Sequence, residues 1–390
     1  MAEKIGGKWL FGLGVLCTAV LTLLTPLAAR LSVGSFIAVR ILEGLGEGVT
    51  FPAMHAMIAR WSPKSDRAKL TAFIYSGSQI GTVISMPISA LLCDSEFLGG
   101  WPSVFYVFGI SGCVWFVLWT VFVYNTPRDH PRISEEELSY IQEDQAEEKA
   151  HKKPPIQWKV VLTSVPVWIL IITHFGQNWG FYTLLTELPS YLNNILHIDM
   201  KANGVLSALP YLLQAILSWV GGFTADIVRK KQLFSNTVVR KICNSVAFAG
   251  SGICLLGVTW AGCNDMLSIS LFVLGMGFNG FIFSGFMVTH VDMAPDFAGT
   301  LMGMTNGVAN LAGILAPYAV GVITEHKQTL HQWNIVFYVS ACVFFFTGTL
   351  FMFFGSAELQ PWGIAGVQDY SPIESCYKNI QQANDDKTDS

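Results

Sequence analysis

The chain has 390 residues, of which 52% are apolar and 13% charged, where an ordinary soluble domain carries about 25% charge. That composition excludes a soluble globular domain and a disordered tail protein. The net charge of −4 leaves no basic footprint for nucleic acid. The eight cysteines show no CxxC or Cys/His ligand spacing, so neither a disulfide framework nor a metal site is expected, and no cofactor is indicated.

Ten runs nearly free of formal charge succeed one another in chain order: 9–29, 35–59, 70–93, 102–124, 165–188, 203–225, 242–262, 266–289, 298–323 and 332–355. Together they hold four charged residues, Arg40, Glu43, Glu47 and Glu187, where the chain average would place about 30. Each run is long enough to cross the hydrocarbon core as a helix. The fold class is therefore an all-α polytopic membrane protein with the lipid bilayer as its solvent. Four spans fill residues 1–124, a charged connection occupies 125–164, six spans fill 165–355, and a polar tail completes the chain over 356–390. Within the connection, Ser134 followed by Glu135, Glu136 and Glu137 is a capping signal for a short surface helix. The tail has no periodicity and reads as a flexible segment.

Lysine and arginine predict the sidedness. Placing both termini on one side puts 19 of the 23 cations there and three on the other, with Arg40 inside the membrane. By the positive-inside rule both termini are expected to be cytoplasmic.

A repeat divides the chain. Glu3, Gly6, Gly7 and Lys8 precede the first four spans, and Gly221, Gly222, Ala225, Asp226, Arg229 and Lys230 precede the last four. Two spans separate the second copy from the central connection, whereas none stands before the first copy. The pattern predicts two six-span halves, with the first two spans absent from these 390 residues. Transporters built from repeated halves hold substrate near the midplane between them.

Three of the four intramembrane charges share one helix face. Arg40, Glu43 and Glu47 stand at i, i+3 and i+7, within about 60° of one another. Each ionisable residue at mid-membrane costs at least about 2.5–3.5 kcal/mol on insertion scales, so such a stripe needs compensation. Arg40 can pair with Glu43 one turn away, which alone would make a packing element. As a functional site, Arg40 would attract an anion while Glu43 or Glu47 takes up a proton, because burial favours the protonated acid and a guanidinium favours the carboxylate. Gly44, Gly46 and Gly48 would admit a close partner helix. His55, about 12 Å of helix rise beyond Glu47, either relays that proton or bonds the cytoplasmic mouth. His174, Gln177, Asn178 and Tyr182 share a sector of a later helix, where Asn178 and Tyr182 are substrate contacts or interhelical glue. Asn279, Ser284, Asn306 and Asn310 are further candidates to line the cavity, and Glu187 lies near the external interface.

The two loops resemble the A/D/E–G–G–K/R motif that follows the second and eighth helices of major facilitator superfamily transporters. The run from Arg40 to His55, with Glu43, Glu47 and Pro52, is very similar to the fourth helix of that superfamily's organic-anion and phosphate cotransporter family. Gly81–Pro87, His174–Leu185 and His290–Gly299 match it as well, and the likeness covers residues 2–355. The resemblance implies the major facilitator fold, the ten runs being family helices three to twelve. It also implies proton-coupled symport of a small organic anion, with sodium-coupled transport of phosphate or another anion, or a non-transporting truncated isoform, as the alternatives. Glu3, Lys8, Asp226, Arg229 and Lys230 would then form gating loops. Vesicular glutamate carriers of the family have glutamine where this chain has Glu43 and arginine where it has Gln177. Both differences point toward the sialic acid carrier branch, in a lysosomal or vesicular membrane, acting as a monomer.

Overall fold

A computed structural model of the chain describes residues 7–50, 53–54, 57, 61, 67–141, 158–262, 264–294, 297–325 and 328–363, by backbone alone at 67–73, 75, 226 and 230. All regular structure among the described residues is helical. The first half contains α1 (Gly7–Leu31), α2 (Val33–Glu47), α3 (Arg67–Asp94) and α4 (Pro102–Phe122) in succession. A six-residue α5 (Trp158–Thr163) leads into α6 (Val165–Asn194), α7 (Met200–Lys230) and α8 (Asn236–Ala261). The chain ends with α9 (Asp265–Asn279), α10 (Phe286–Met293), α11 (Ala298–Ala309), α12 (Ala312–Thr324) and α13 (Leu330–Phe354).

Local chemistry sets the helix starts. Ser32, Asp199, Ser235 and Asn264 each turn a side-chain oxygen onto a backbone N–H three residues on, satisfying an otherwise orphaned donor. In the central connection Ser134 Oγ accepts from Glu137 N at 3.1 Å, as the sequence signal required.

Eight helices among the described residues are long and apolar enough to cross a membrane. Two of the ten predicted runs fall outside that set. The helix α2 is described over 15 residues and carries the charged stripe, whereas α6 spans 30 residues and carries the polar sector around Asn178. Two other runs expected to be uninterrupted are not. Between α9 and α10 the chain tightens into a 3-10 turn at Gly280–Phe283. Between α11 and α12 the bonding slips from i−4 to i−3 at Leu311, Gly313 and Ile314. Gly280 explains the first distortion: a Cβ there would stand 2.5 Å from the Gln214 carbonyl oxygen and 2.9 Å from Ser218 N, so α7 crosses against bare backbone.

The core lies in the second half. Tyr191, Phe272, Trp333 and Phe337 interlock edge to face with centroids 5.2–5.4 Å apart around Tyr191, and Phe248 packs on Phe344. In the first half, α1 packs against both α2 and α4, and α3 lies chiefly along α7. The α3–α7 seam is the main junction of the two halves, and its outer end carries an Asp94–Lys201 ion pair at 3.0 Å. Of Gly44, Gly46 and Gly48, Gly46 meets a partner helix, backing onto Gly14 and Thr18 of α1, while Gly44 faces open space.

The tail differs from expectation at its start. Residues 356–363 fold back on the second half: Thr237 Oγ1 accepts from Ala357 N at 3.1 Å, and Met293 O accepts from Gln360 N at 2.9 Å. Trp362 is buried and lines one small apolar pocket with Phe297, Leu301 and the half-exposed Trp158. Its apolar side chain, rather than any periodicity, holds this stretch in place.

Candidate functional site

The stripe on α2 folds into a three-membered polar cluster. Arg40 Nη1 donates to Glu43 Oε2 at 2.6 Å, and the Thr22 hydroxyl of α1 donates to Glu43 Oε1, also at 2.6 Å. Both carboxylate oxygens are therefore engaged, and Glu43 is buried at 5% exposure. The Arg40 side chain, at 51% exposure, keeps much of its guanidinium open. Glu47 is exposed, and its carboxylate has no hydrogen-bond or ion-pair partner among the described residues, although its backbone carbonyl accepts from the Thr50 hydroxyl at 2.7 Å. It lies within electrostatic range of Arg40 and Glu43 and, across the gap between halves, of Tyr182. The two carboxylates that look alike in sequence thus sit in unlike surroundings.

On α6, Asn178 and Tyr182 converge on one acceptor. Asn178 Nδ2 stands 3.5 Å and Tyr182 Oη 3.4 Å from Asn310 Oδ1, at the slip between α11 and α12. Both distances are long for hydrogen bonds. Non-helical backbone at such depth is tolerated where it lines a cavity or is buried in protein, and broken helices mark substrate sites in transporters.

A second polar cluster lies deeper. Asn279 Oδ1, at the end of α9, accepts from Gln214 Nε2 at 3.1 Å and from Gln177 Nε2 at 3.5 Å. Asn279 Nδ2 and Gln214 Oε1 are buried with no partner among the described residues, and such groups cost about 1–3 kcal/mol each until something bonds them. Gln214 escaped the sequence reading because a single glutamine in an apolar run has no periodic signal. His174, placed by the sequence in the polar sector with Gln177, Asn178 and Tyr182, and His290, known only from a matching stretch, both bond Thr305. Glu187, near the end of α6, accepts from its neighbour Thr186 at 3.3 Å.

The loop residues divide. Lys8 is tied within its own half, its Nζ donating to Thr120 O at 2.9 Å and lying over the Trp9 and Tyr124 rings. Its described partners lie in the first half, so it clamps α1 to α4 instead of reaching across to the second. Arg229 is exposed on the last turn of α7. Glu3 and His55 lie outside the described residues, as do the side chains of Asp226 and Lys230. Among the described residues an ion pair joins α8 to α10: Arg240 Nε donates to Asp292 Oδ2 at 2.8 Å and its Nη1 to Ser284 O at 3.0 Å.

Comparison with known proteins agrees with this geometry. The family described as Major Facilitator Superfamily matches residues 1–317. A Drosophila ananassae protein named "Putative inorganic phosphate cotransporter" is 43% identical over 375 residues, 95% of this chain and 78% of its own. Sialin of Homo sapiens is 42% identical over 364 residues, 93% of this chain and 72% of its own. Vesicular glutamate transporter 2 of Homo sapiens is 39% identical over 366 residues, 93% of this chain and 62% of its own. Among solved structures, a D-xylose-proton symporter superposes with a TM-score of 0.70 at 14% identity, covering 91% of this chain and 82% of that one.

Proposed function

This chain belongs to the Major Facilitator Superfamily, and we propose that it is a proton-coupled symporter of a small organic anion, of the sialic acid or acidic amino acid class. One observation carries the reading: Arg40 is half open while its one bonded edge is held by a buried carboxylate. An arriving anionic group competes with Glu43 for the same guanidinium, and bidentate carboxylate recognition is what arginine geometry favours. Protonating Glu43 releases Arg40, so acid on the loading side promotes anion binding. Glu47 supplies a second protonatable group facing the gap, and Asn178, Tyr182 and Asn310 orient the polar body of the substrate from the other half. Rocking of the halves about the α3–α7 seam then exposes the loaded site to the cytoplasm. The vesicular glutamate transporter among its relatives supports, by its name, an organic anion and a vesicular compartment.

The test is uptake by proteoliposomes of radiolabelled N-acetylneuraminate, glutamate and inorganic phosphate, driven by a pH gradient or by a sodium gradient. Accumulation of an organic acid on the pH gradient alone supports the reading. Sodium-dependent accumulation of phosphate with no response to pH overturns it in favour of a phosphate cotransporter, the activity in the name of the fly relative.

A further inference from the structure

We propose that His174, Thr305 and His290 form a second proton site, a directed hydrogen-bond relay inside the second half that passes and stores the coupling proton apart from the Glu43/Glu47 stripe. The proposal rests on the proton-coupled reading above. His174 Nδ1 stands 3.1 Å from Thr305 Oγ1, and His290 Nε2 stands 2.8 Å from the same oxygen. His290 Nδ1 lies 3.0 Å from the Met287 carbonyl oxygen. All three residues are buried, at 1%, 0% and 2% exposure.

The donors and acceptors fix the direction. A carbonyl oxygen only accepts, so His290 carries its proton on Nδ1 and leaves Nε2 as an acceptor. Thr305 Oγ1 also stands 3.2 Å from the Met302 carbonyl oxygen, which competes for its single proton, but an unprotonated His290 Nε2 at 2.8 Å from the same oxygen requires that proton between the two atoms. With that proton committed, the hydroxyl oxygen can only accept from His174, whose Nδ1 must carry a hydrogen. The chain then reads His174 Nδ1–H to Thr305 O–H to His290 Nε2. A proton arriving at His174 Nε2 forms an N–H bond there, and the Nδ1–H bond breaks as its proton passes to Thr305 Oγ1. The original hydroxyl proton moves to His290 Nε2. Two neutral rings and one added proton become a neutral His174, a neutral threonine and a His290 imidazolium. That cation still donates from Nδ1 to Met287 O and now donates from Nε2 to Thr305, so both of its N–H groups are bonded.

Position supports the role. His174 precedes Asn178 by one turn of α6, about 6 Å of rise, and Thr305 precedes Asn310 by five residues on α11. The relay thus begins beside the Asn178–Tyr182–Asn310 cluster and runs toward the end of α10 where the cation-rich connections lie. Few charges compete for its proton. On α10 Asp292 is held by Arg240 of α8, and α11 carries no ionisable residue. The ionisable side chains of α12 and α13 (Tyr318, His331, Tyr338 and Cys342) are exposed. Tyr211 of α7 is buried against the Phe181 ring instead, and Tyr182 of α6 faces Asn310.

Two measurements on the whole chain in lipid test this. In the first, 15N-histidine magnetic resonance reads the tautomers, with His174→Gln and His290→Gln assigning the signals. Both neutral rings are expected to carry the proton on Nδ1, against the usual preference for Nε2, and acidification is expected to charge one ring of the pair. A proton on Nε2 in either neutral ring overturns the relay. In the second, accumulation on a pH gradient is divided by counterflow exchange in the same vesicles. Thr305→Val is expected to bring that ratio down to its gradient-free value and Thr305→Ser to restore it; a parental ratio in Thr305→Val overturns the proposal. Should Thr305→Val lose counterflow as well, His290→Gln supplies the same ratio. A parent chain that accumulates nothing on a pH gradient defeats the symport reading, and the tautomers then decide the relay alone.

Discussion

Glu43→Gln is the most informative substitution in the first half. The variant keeps an oxygen for the Thr22 hydroxyl but loses the charge that holds Arg40, whose Nη1 stands 2.6 Å from Glu43 Oε2. Exposed ion pairs contribute about 0.2–1 kcal/mol, and unpairing a buried one costs about 3–5 kcal/mol. Here the Glu43 side chain is 7% exposed and that of Arg40 51%, so an anion that displaces Glu43 loses about 1–3 kcal/mol of its binding energy, between those two limits. Removing the competitor should tighten anion binding by about 5- to 150-fold at neutral pH. The sign with pH comes from the same pair. On the proposed coupling, a proton taken up by the stripe frees Arg40, so affinity rises as pH falls. In Glu43→Gln the arginine loses that competitor at every pH, so affinity is expected to be high and its pH slope reduced to what Glu47 contributes. Equilibrium binding of radiolabelled N-acetylneuraminate and glutamate to protein in nanodiscs, from about pH 5 to about pH 8, measures both effects. Weaker binding at all pH values, or an unchanged pH slope, would refute the competition between substrate and Glu43.

Four other substitutions probe separate parts of the molecule. Glu47→Gln is expected to abolish accumulation on a pH gradient while counterflow exchange persists; accumulation at the parental rate removes Glu47 from the coupling. Asn310→Ala withdraws the acceptor shared by Asn178 and Tyr182, and should weaken anion binding by about 2- to 10-fold, the range of one ordinary hydrogen bond. Arg240→Ala leaves Asp292 unpaired beside α8 and should cost about 3–5 kcal/mol, read as a lowered melting temperature in detergent by intrinsic tryptophan fluorescence. Gly280→Val forces a side chain against the Gln214 carbonyl and is expected to destabilise the α7–α9 crossing by about 1–3 kcal/mol, measured in the same way.

Sequence by itself determined the features that solvent preference and helical geometry dictate. Runs of apolar residues must become helices in lipid because no other open structure satisfies its backbone there. Arg40, Glu43 and Glu47 share a face because their spacing admits no other arrangement on a helix. The capped helix after Ser134 and the likeness of the two loop motifs were legible for similar reasons, since each depends on residues close together in the chain. Tertiary structure decided everything that depends on a partner from elsewhere. Thr22, 21 residues before Glu43, converts one member of a symmetric-looking carboxylate pair into a held ion while Glu47 stays exposed. Gly280 reads as one more glycine until α7 is seen to cross against it. Trp362 pins the start of a tail that has no pattern of its own. His174 and Thr305 are 131 residues apart, and no local periodicity could have brought them to one hydroxyl. Hydrophobic periodicity encodes which surface of a helix is buried. The partners of a buried polar group are fixed only when helices distant in sequence pack together, because each must satisfy its hydrogen bonds with whatever the neighbouring helix presents.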